Sequence, residues 1–106
     1  MSIIFETTTI NGRTLKLTNE GWRHIRTVHP ELKKELNKVK QTMTTPDLIK
    51  QGNRADTFIF YKLFPETIVS QKFLALVIKY FNTEGVVITG YFTENIKKGE
   101  ILWKRQ

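Results

Sequence analysis

Gly52-Asn53-Arg54-Ala55-Asp56-Thr57-Phe58-Ile59-Phe60-Tyr61-Lys62-Leu63-Phe64 is the stretch in which the chain changes hydrophobic period. From Trp22 to Met43 the apolar residues recur at helical spacings. From Thr57 onward they come in aromatic and β-branched runs that suit pleated strands. Lys72–Phe81 and Val86–Thr93 repeat that pattern, and Pro65–Gln71 and Asn82-Thr83-Glu84-Gly85 read as the connections. Consecutive strands with short links predict an antiparallel meander. Ile101-Leu102-Trp103-Lys104, after the Lys97-Lys98-Gly99 turn, adds a candidate edge strand.

Working back from Gly52, Thr45-Pro46-Asp47 suits the start of a short third helix running to about Gln51. Leu32, Leu36, Val39 and Met43 mark one face of a helix over Glu31–Met43, with Lys33, Lys34, Lys38 and Lys40 on its other face. Pro30 separates it from an earlier helix, because the residue before a proline is pushed out of helical space. Thr18 or Asn19 caps that first helix. Further upstream, Asn11-Gly12 joins Ile3–Thr9 to Arg13–Leu17 as a hairpin. The order is a hairpin, two to three helices, then a meander of three to four strands. It predicts a single α+β domain with helices on one sheet face and the other face partly open. The expected core includes Trp22, Ile25, Leu32, Leu36, Val39, Leu76, Ile88 and Phe92.

Composition narrows the function. With 106 residues, 40% of them hydrophobic, the chain can fold around one modest core. No cysteine is present, and two histidines five positions apart offer no metal-ligand spacing, so neither a metal nor another cofactor is expected. No apolar run reaches membrane-spanning length, which points to a cytoplasmic protein without membrane contact. The formal charge of +7 favours an anionic partner, RNA first and an acidic inhibitor protein second. Six of the 17 basic residues lie between Arg23 and Lys40, and Lys97, Lys98, Lys104 and Arg105 cluster near the C-terminal end.

Chemistry concentrates at Trp22-Arg23-His24-Ile25-Arg26-Thr27-Val28-His29-Pro30-Glu31. Trp22, Ile25 and His29 share a helical stripe, with Val28 beside them. The His29 ring should therefore pack on one side, whereas His24 lies on the flank. Histidine transfers protons near neutral pH, and arginine suits phosphate. The plainer alternative is a partly buried helix-terminal histidine with no chemical role. On the open sheet face, Thr89, Tyr91 and Thr93 share one phase of Val86–Thr93, with Val86, Ile88, Gly90 and Phe92 on the core phase. Lys62 and Lys79 follow apolar residues in their strands, where a lysine either snorkels to the rim or lines a phosphate groove.

Taken together, His24–Glu31, Thr42–Asp47, Phe60–Lys62 and Ile88–Trp103 resemble the phage-associated branch of the barnase–EndoU–colicin–RelE nuclease superfamily. The resemblance runs from about Trp22 onward. It implies an α+β fold with helices preceding a four-stranded antiparallel sheet, and metal-independent RNA cleavage, often by toxins. It also implies a helix-borne histidine, here His29, and a strand-borne hydroxyl, here Thr89 or Thr93. The chemistry would begin with removal of a ribose 2′-OH proton by His29. Arg26 and Lys62 or Lys79 would stabilise the charge gathering on phosphate, Thr89, Thr93 or Tyr91 would donate to it or orient the base, and Arg23, Lys97 and Lys98 would hold RNA. A non-catalytic RNA-binding module and a basic partner-binding protein fit the same composition.

Overall fold

A computed structural model describes residues 2–65 and 72–106. Strands β1 (Ile3–Thr8) and β2 (Thr14–Thr18) lead into helix α1 (Asn19–Val28). A 3-10 turn, Pro30–Leu32, precedes α2 (Leu36–Thr44). There follow β3 (Leu48–Gln51), β4 (Thr57–Phe64), β5 (Lys72–Phe81), β6 (Glu84–Thr93) and β7 (Ile101–Lys104). Beyond Pro65, the connection expected at Pro65–Gln71 lies outside the described residues.

The class is α+β, but the sheet is larger than the expected meander. Seven strands form one mixed sheet in the order β1-β2-β6-β5-β4-β3-β7. The β4-β5-β6 meander is its centre. The hairpin joins it through a parallel pairing of Thr14–Lys16 with Glu84–Val86. On the other side β3 pairs with both β4 and β7. The third helix expected from Thr45-Pro46-Asp47 does not form, and β3 occupies its place. Four residues before a glycine are too short to sustain a helix. The backbone of Asp47 bonds instead to Tyr61 and Arg105, and its carboxylate accepts from the Leu63 N–H at 2.9 Å. The expected Glu31–Met43 helix is likewise split, because Pro30 starts a tight 3-10 turn that ends before α2 begins.

Helix α1 forms where sequence chemistry places it. Thr18 Oγ1 accepts from the Gly21 N–H at 3.0 Å as its N-cap. Trp22 and Ile25 supply its buried stripe. Val28, expected beside that stripe, is exposed. The helix packs beside β6, whose residues after Val86 have no strand partner on the side facing away from β5 among the described residues. At Gly21 an added Cβ would stand 3.1 Å from the Val87 carbonyl oxygen, so a larger residue would push the helix start off the strand. Ten helical residues advance about 15 Å. The four steps from Val87 to Tyr91 advance about 13 Å. The C-terminal end of α1 therefore reaches the level of Tyr91.

The main core lies between the helices and one sheet face. Leu15, Leu17, Trp22, Ile25, Leu32, Val39, Phe60, Leu74, Leu76, Ile78 and Val87 are buried there, with Leu36 and Phe92 packed at its margin. The second face carries a smaller cluster of Ile59, Tyr61 and Ala75, covered in part by Ile96. Segment 94–100 crosses that face, which is consequently less open than expected.

Ile88, expected in the core, is 43% exposed, whereas its neighbour Val87 is buried. The cause is a β-bulge: Val77 pairs with Thr89 and Ile78 with Val87, which leaves Ile88 as the extra residue. The alternation of β6 therefore shifts phase at Ile88. Gly85 and Val87 face the helices before it, and Gly90 and Phe92 after it. Ile88→Thr is expected to change stability by less than about 0.5 kcal/mol. Val87→Thr should cost about 1–3 kcal/mol by burying an unpartnered hydroxyl. Chemical denaturation of the two variants checks the assignment, and equal losses would contradict the bulge.

Candidate functional site

The second sheet face is built in rows by strand register. Leu48, Tyr61, Ala75 and Tyr91 form one row across β3, β4, β5 and β6. Lys50, Ile59, Val77 and Thr89 form the next. Thr89 and Tyr91 are two residues apart on one strand face, or about 7 Å. Sequence phase placed those two hydroxyls together, and the register keeps them so, because the bulge lies before both.

His29 enters this face from beside the strand edge. Its N–H still donates to the Ile25 carbonyl at 2.8 Å. Its backbone then turns to φ −126°, ψ 74°, out of helical space, ahead of Pro30. The imidazole stands 5.8 Å from the Tyr91 ring, centroid to centroid, at 38°. The side chain is 29% exposed, so one side packs while another faces solvent. His24 is exposed on α1. Glu31, one residue past the proline, places Oε2 3.8 Å from His29 Nδ1.

Lys97 closes the other side. Its Nζ lies 5.9 Å from the centroid of the Tyr91 ring. Its backbone is fastened on both sides of the Cα. The Lys97 N–H donates to Tyr61 Oη at 3.2 Å, and its carbonyl accepts from Lys50 Nζ at 2.6 Å. Beneath this latch, Thr89 Oγ1 and Tyr91 Oη are buried without a hydrogen-bond partner among the described residues. A buried hydroxyl left unpaired costs about 1–3 kcal/mol. The arrangement thus sets an imidazole, an ammonium and two unpartnered hydroxyls around one ring. It can accept a proton, hold an anion and donate hydrogen bonds to it.

The remaining residues proposed from sequence are dispersed. Lys62 lies on the helix-bearing face, where its Nζ donates to the Thr45 carbonyl at 2.8 Å and stands 3.9 Å from Asp47. The phase that aligned it with Phe58, Phe60 and Phe64 puts it opposite the His29 site. Lys79 is on the second face, but four residues along β5 from Ala75, or about 13 Å from the Tyr91 row. It stands 3.9 Å from Asp56. Thr93 bonds locally with the backbone of Asn95, its hydroxyl donating to the carbonyl and accepting from the N–H. Arg26 stacks over Trp22 at 5.9 Å, while Arg23 and Lys98 are exposed. Glu31, Tyr61 and Lys50 were not proposed from sequence. Tyr61 carried a signal, a polar aromatic out of phase with Phe58, Phe60 and Phe64. Lys50 carried none, since its strand was read as a helix.

Burial raises the Tyr61 hydroxyl above the ordinary tyrosine value of 10.0, against the Lys97 N–H that stabilises its anion. Burial raises Tyr80 likewise, opposed by hydroxyl contact with Thr9 and the charge of Arg13. Both groups therefore stay neutral in the folded chain at pH values where the unfolded chain ionises them. These two groups are expected to leave stability unchanged with pH below about pH 10 and to lower it above, as unfolding releases protons. Urea midpoints compared below and above pH 10 check this, and a rise with pH would reverse the sign.

No helix is long and apolar enough to cross a membrane among the described residues. Comparison with protein-family models, with curated proteins and with solved structures finds no match.

Proposed function

We propose that this chain is a small metal-independent endoribonuclease whose site is centred on His29, Tyr91 and Lys97. The observation that carries the reading is the His29–Tyr91 contact with two unpartnered hydroxyls and the Lys97 ammonium beside it. Its charge of +7 and its resemblance to nucleases of the barnase–EndoU–colicin–RelE type support the same reading.

In this reading the RNA phosphate draws the Lys97 side chain off the Tyr91 ring, pairs with its ammonium and reaches the Tyr91 and Thr89 hydroxyls, the backbone latch of Lys97 staying in place. His29 takes the 2′-OH proton, and that oxygen attacks the adjacent phosphorus. The 5′ oxygen leaves with a proton from solvent. Negative charge on the phosphate oxygens grows in the transition state, where Lys97 and the hydroxyls stabilise it most. Glu31 flanks the Nδ1 side of the imidazole, with Oε2 3.8 Å away. Arg26 and Arg23, exposed on α1, are left for longer-range attraction, and Lys62 has no part at this face.

The test is purified protein with an RNA oligonucleotide and its 2′-deoxy counterpart, in EDTA. The expected result is cleavage of RNA alone, giving a 2′,3′-cyclic phosphate and a 5′-OH end. Cleavage of the deoxy strand would refute 2′-OH attack. Binding without cleavage would leave a non-catalytic RNA-binding module on the same face. Affinity is expected to fall severalfold or more between low and physiological salt, since phosphate binding releases counterions.

A further inference from the structure

We infer that the second sheet face carries, at the opposite end of β5 from His29, a base-stacking subsite made by Phe81 and Lys79. The inference rests on the reading above that this face takes RNA, and it identifies the ligand as an extended single strand. In β5 the main-core side chains are Leu74, Leu76, Ile78 and Tyr80. The alternate set, Phe73, Ala75, Val77, Lys79 and Phe81, therefore belongs to the face of Tyr91 and Thr89. Phe81 is 54% exposed at the strand end. Lys79 Nζ lies 5.2 Å from its ring centroid.

What sets Phe81 apart from the other exposed apolar side chains is an aromatic face with an ammonium beside it, the pairing that single-stranded nucleic acid uses. The Lys79 ammonium already occupies one side of this ring by cation–π attraction. A nucleobase stacks on the remaining surface, and the same ammonium then reaches the flanking phosphate. Nearby acidic groups do not abolish this. Asp56 stands 3.9 Å from Lys79, and Glu84, the register partner of Phe81, is held by Lys16 at 2.5 Å. The overall charge of +7 and the cations Lys50 and Lys97 further along the face favour a polyanion over an acidic-poor protein surface. Ala75 lies opposite Tyr91, and Phe81 is six residues further on, about 20 Å away. That path exceeds a dinucleotide and falls within the span of single-strand sites of about 4–16 nucleotides.

The experiment titrates the 2′-deoxy forms of octauridylate and diuridylate, which 2′-OH attack cannot cleave, into wild-type protein, Phe81→Ala and Phe81→Trp, with binding read by chemical-shift perturbation. Phe81→Ala is expected to weaken octauridylate about tenfold and leave diuridylate unchanged. Phe81→Trp should restore the octamer affinity. Octamer affinity unchanged in Phe81→Ala overturns the subsite while the His29 reading stands. Equal weakening of both probes also overturns it, because a distant stacking site acts only on the longer strand. Wild-type protein that binds neither probe removes both the subsite and the proposed function.

Discussion

His29→Ala is expected to lower RNA cleavage by about 10²–10⁴-fold, the usual contribution of a positioned general base. His24→Ala should retain most of the activity. The contrast follows from placement. His29 follows the last turn of α1, is partly packed against Tyr91, and has Glu31 3.8 Å from its Nδ1. His24 is exposed five residues earlier. A partly exposed imidazole contributes little to the core, so His29→Ala should keep a thermal midpoint close to that of wild type. RNA affinity should also persist, because Lys97, Lys50 and the overall charge remain. Loss of turnover with retained binding and folding is the expected combination. Undiminished cleavage by His29→Ala would keep the enzyme and discard this site, whereas loss of folding would assign His29 to structure.

The fold was legible where local pattern and tertiary context agree. Asn11-Gly12, the Thr18 cap, the Trp22–Ile25 stripe and the Pro30 break are each decided within a few residues, and each appears as expected. The meander was legible because aromatic and β-branched runs leave little alternative. Two features were not. Residues 48–51 become a strand only because β4 and β7 lie on either side to receive their backbone groups. No local propensity records a partner about fifty positions away. The bulge at Ile88 was hidden for a different reason: Val86-Val87-Ile88 is apolar throughout, so alternation gives no phase there.

The site was legible in part for the same reasons. Helical phase put His29 on the Trp22–Ile25 stripe, but the backbone leaves helical space at His29 and its ring meets Tyr91 on the second sheet face instead. Tyr91 and Thr89 were found by strand phase, which survived since both lie beyond the bulge. Lys62 and Lys79 were proposed from the ends of apolar stripes but diverge: phase with Phe58, Phe60 and Phe64 already sets Lys62 on the core face, whereas for Lys79 phase assigns a face and not a position along it. Lys62 lands on the wrong face for this site, and Lys79 on the right face about 13 Å away. The latch on Lys97 through Tyr61 and Lys50 joins residues from three separate segments, which no local reading assembles.

Tyr91→Phe is expected to make the protein more stable and less active. In the resting chain Tyr91 Oη is buried with no partner among the described residues. Removing that hydroxyl removes a desolvation cost and keeps the ring that packs against His29, so stability should rise by about 1 kcal/mol. The same oxygen is one of the donors proposed to meet phosphate, and it acts most when charge builds in the transition state. Its loss should lower kcat by about 10²–10³-fold. KM should change far less, since the Lys97 ammonium and the rest of the basic face still attract RNA. Opposite movement of stability and turnover is what distinguishes a hydroxyl held ready for a ligand from one misplaced by packing. A structural hydroxyl with an unseen partner would lose stability on becoming phenylalanine. An idle one would gain stability with kcat intact. Urea denaturation and steady-state kinetics on the single variant separate these outcomes, and Thr89→Val repeats the test on the neighbouring hydroxyl.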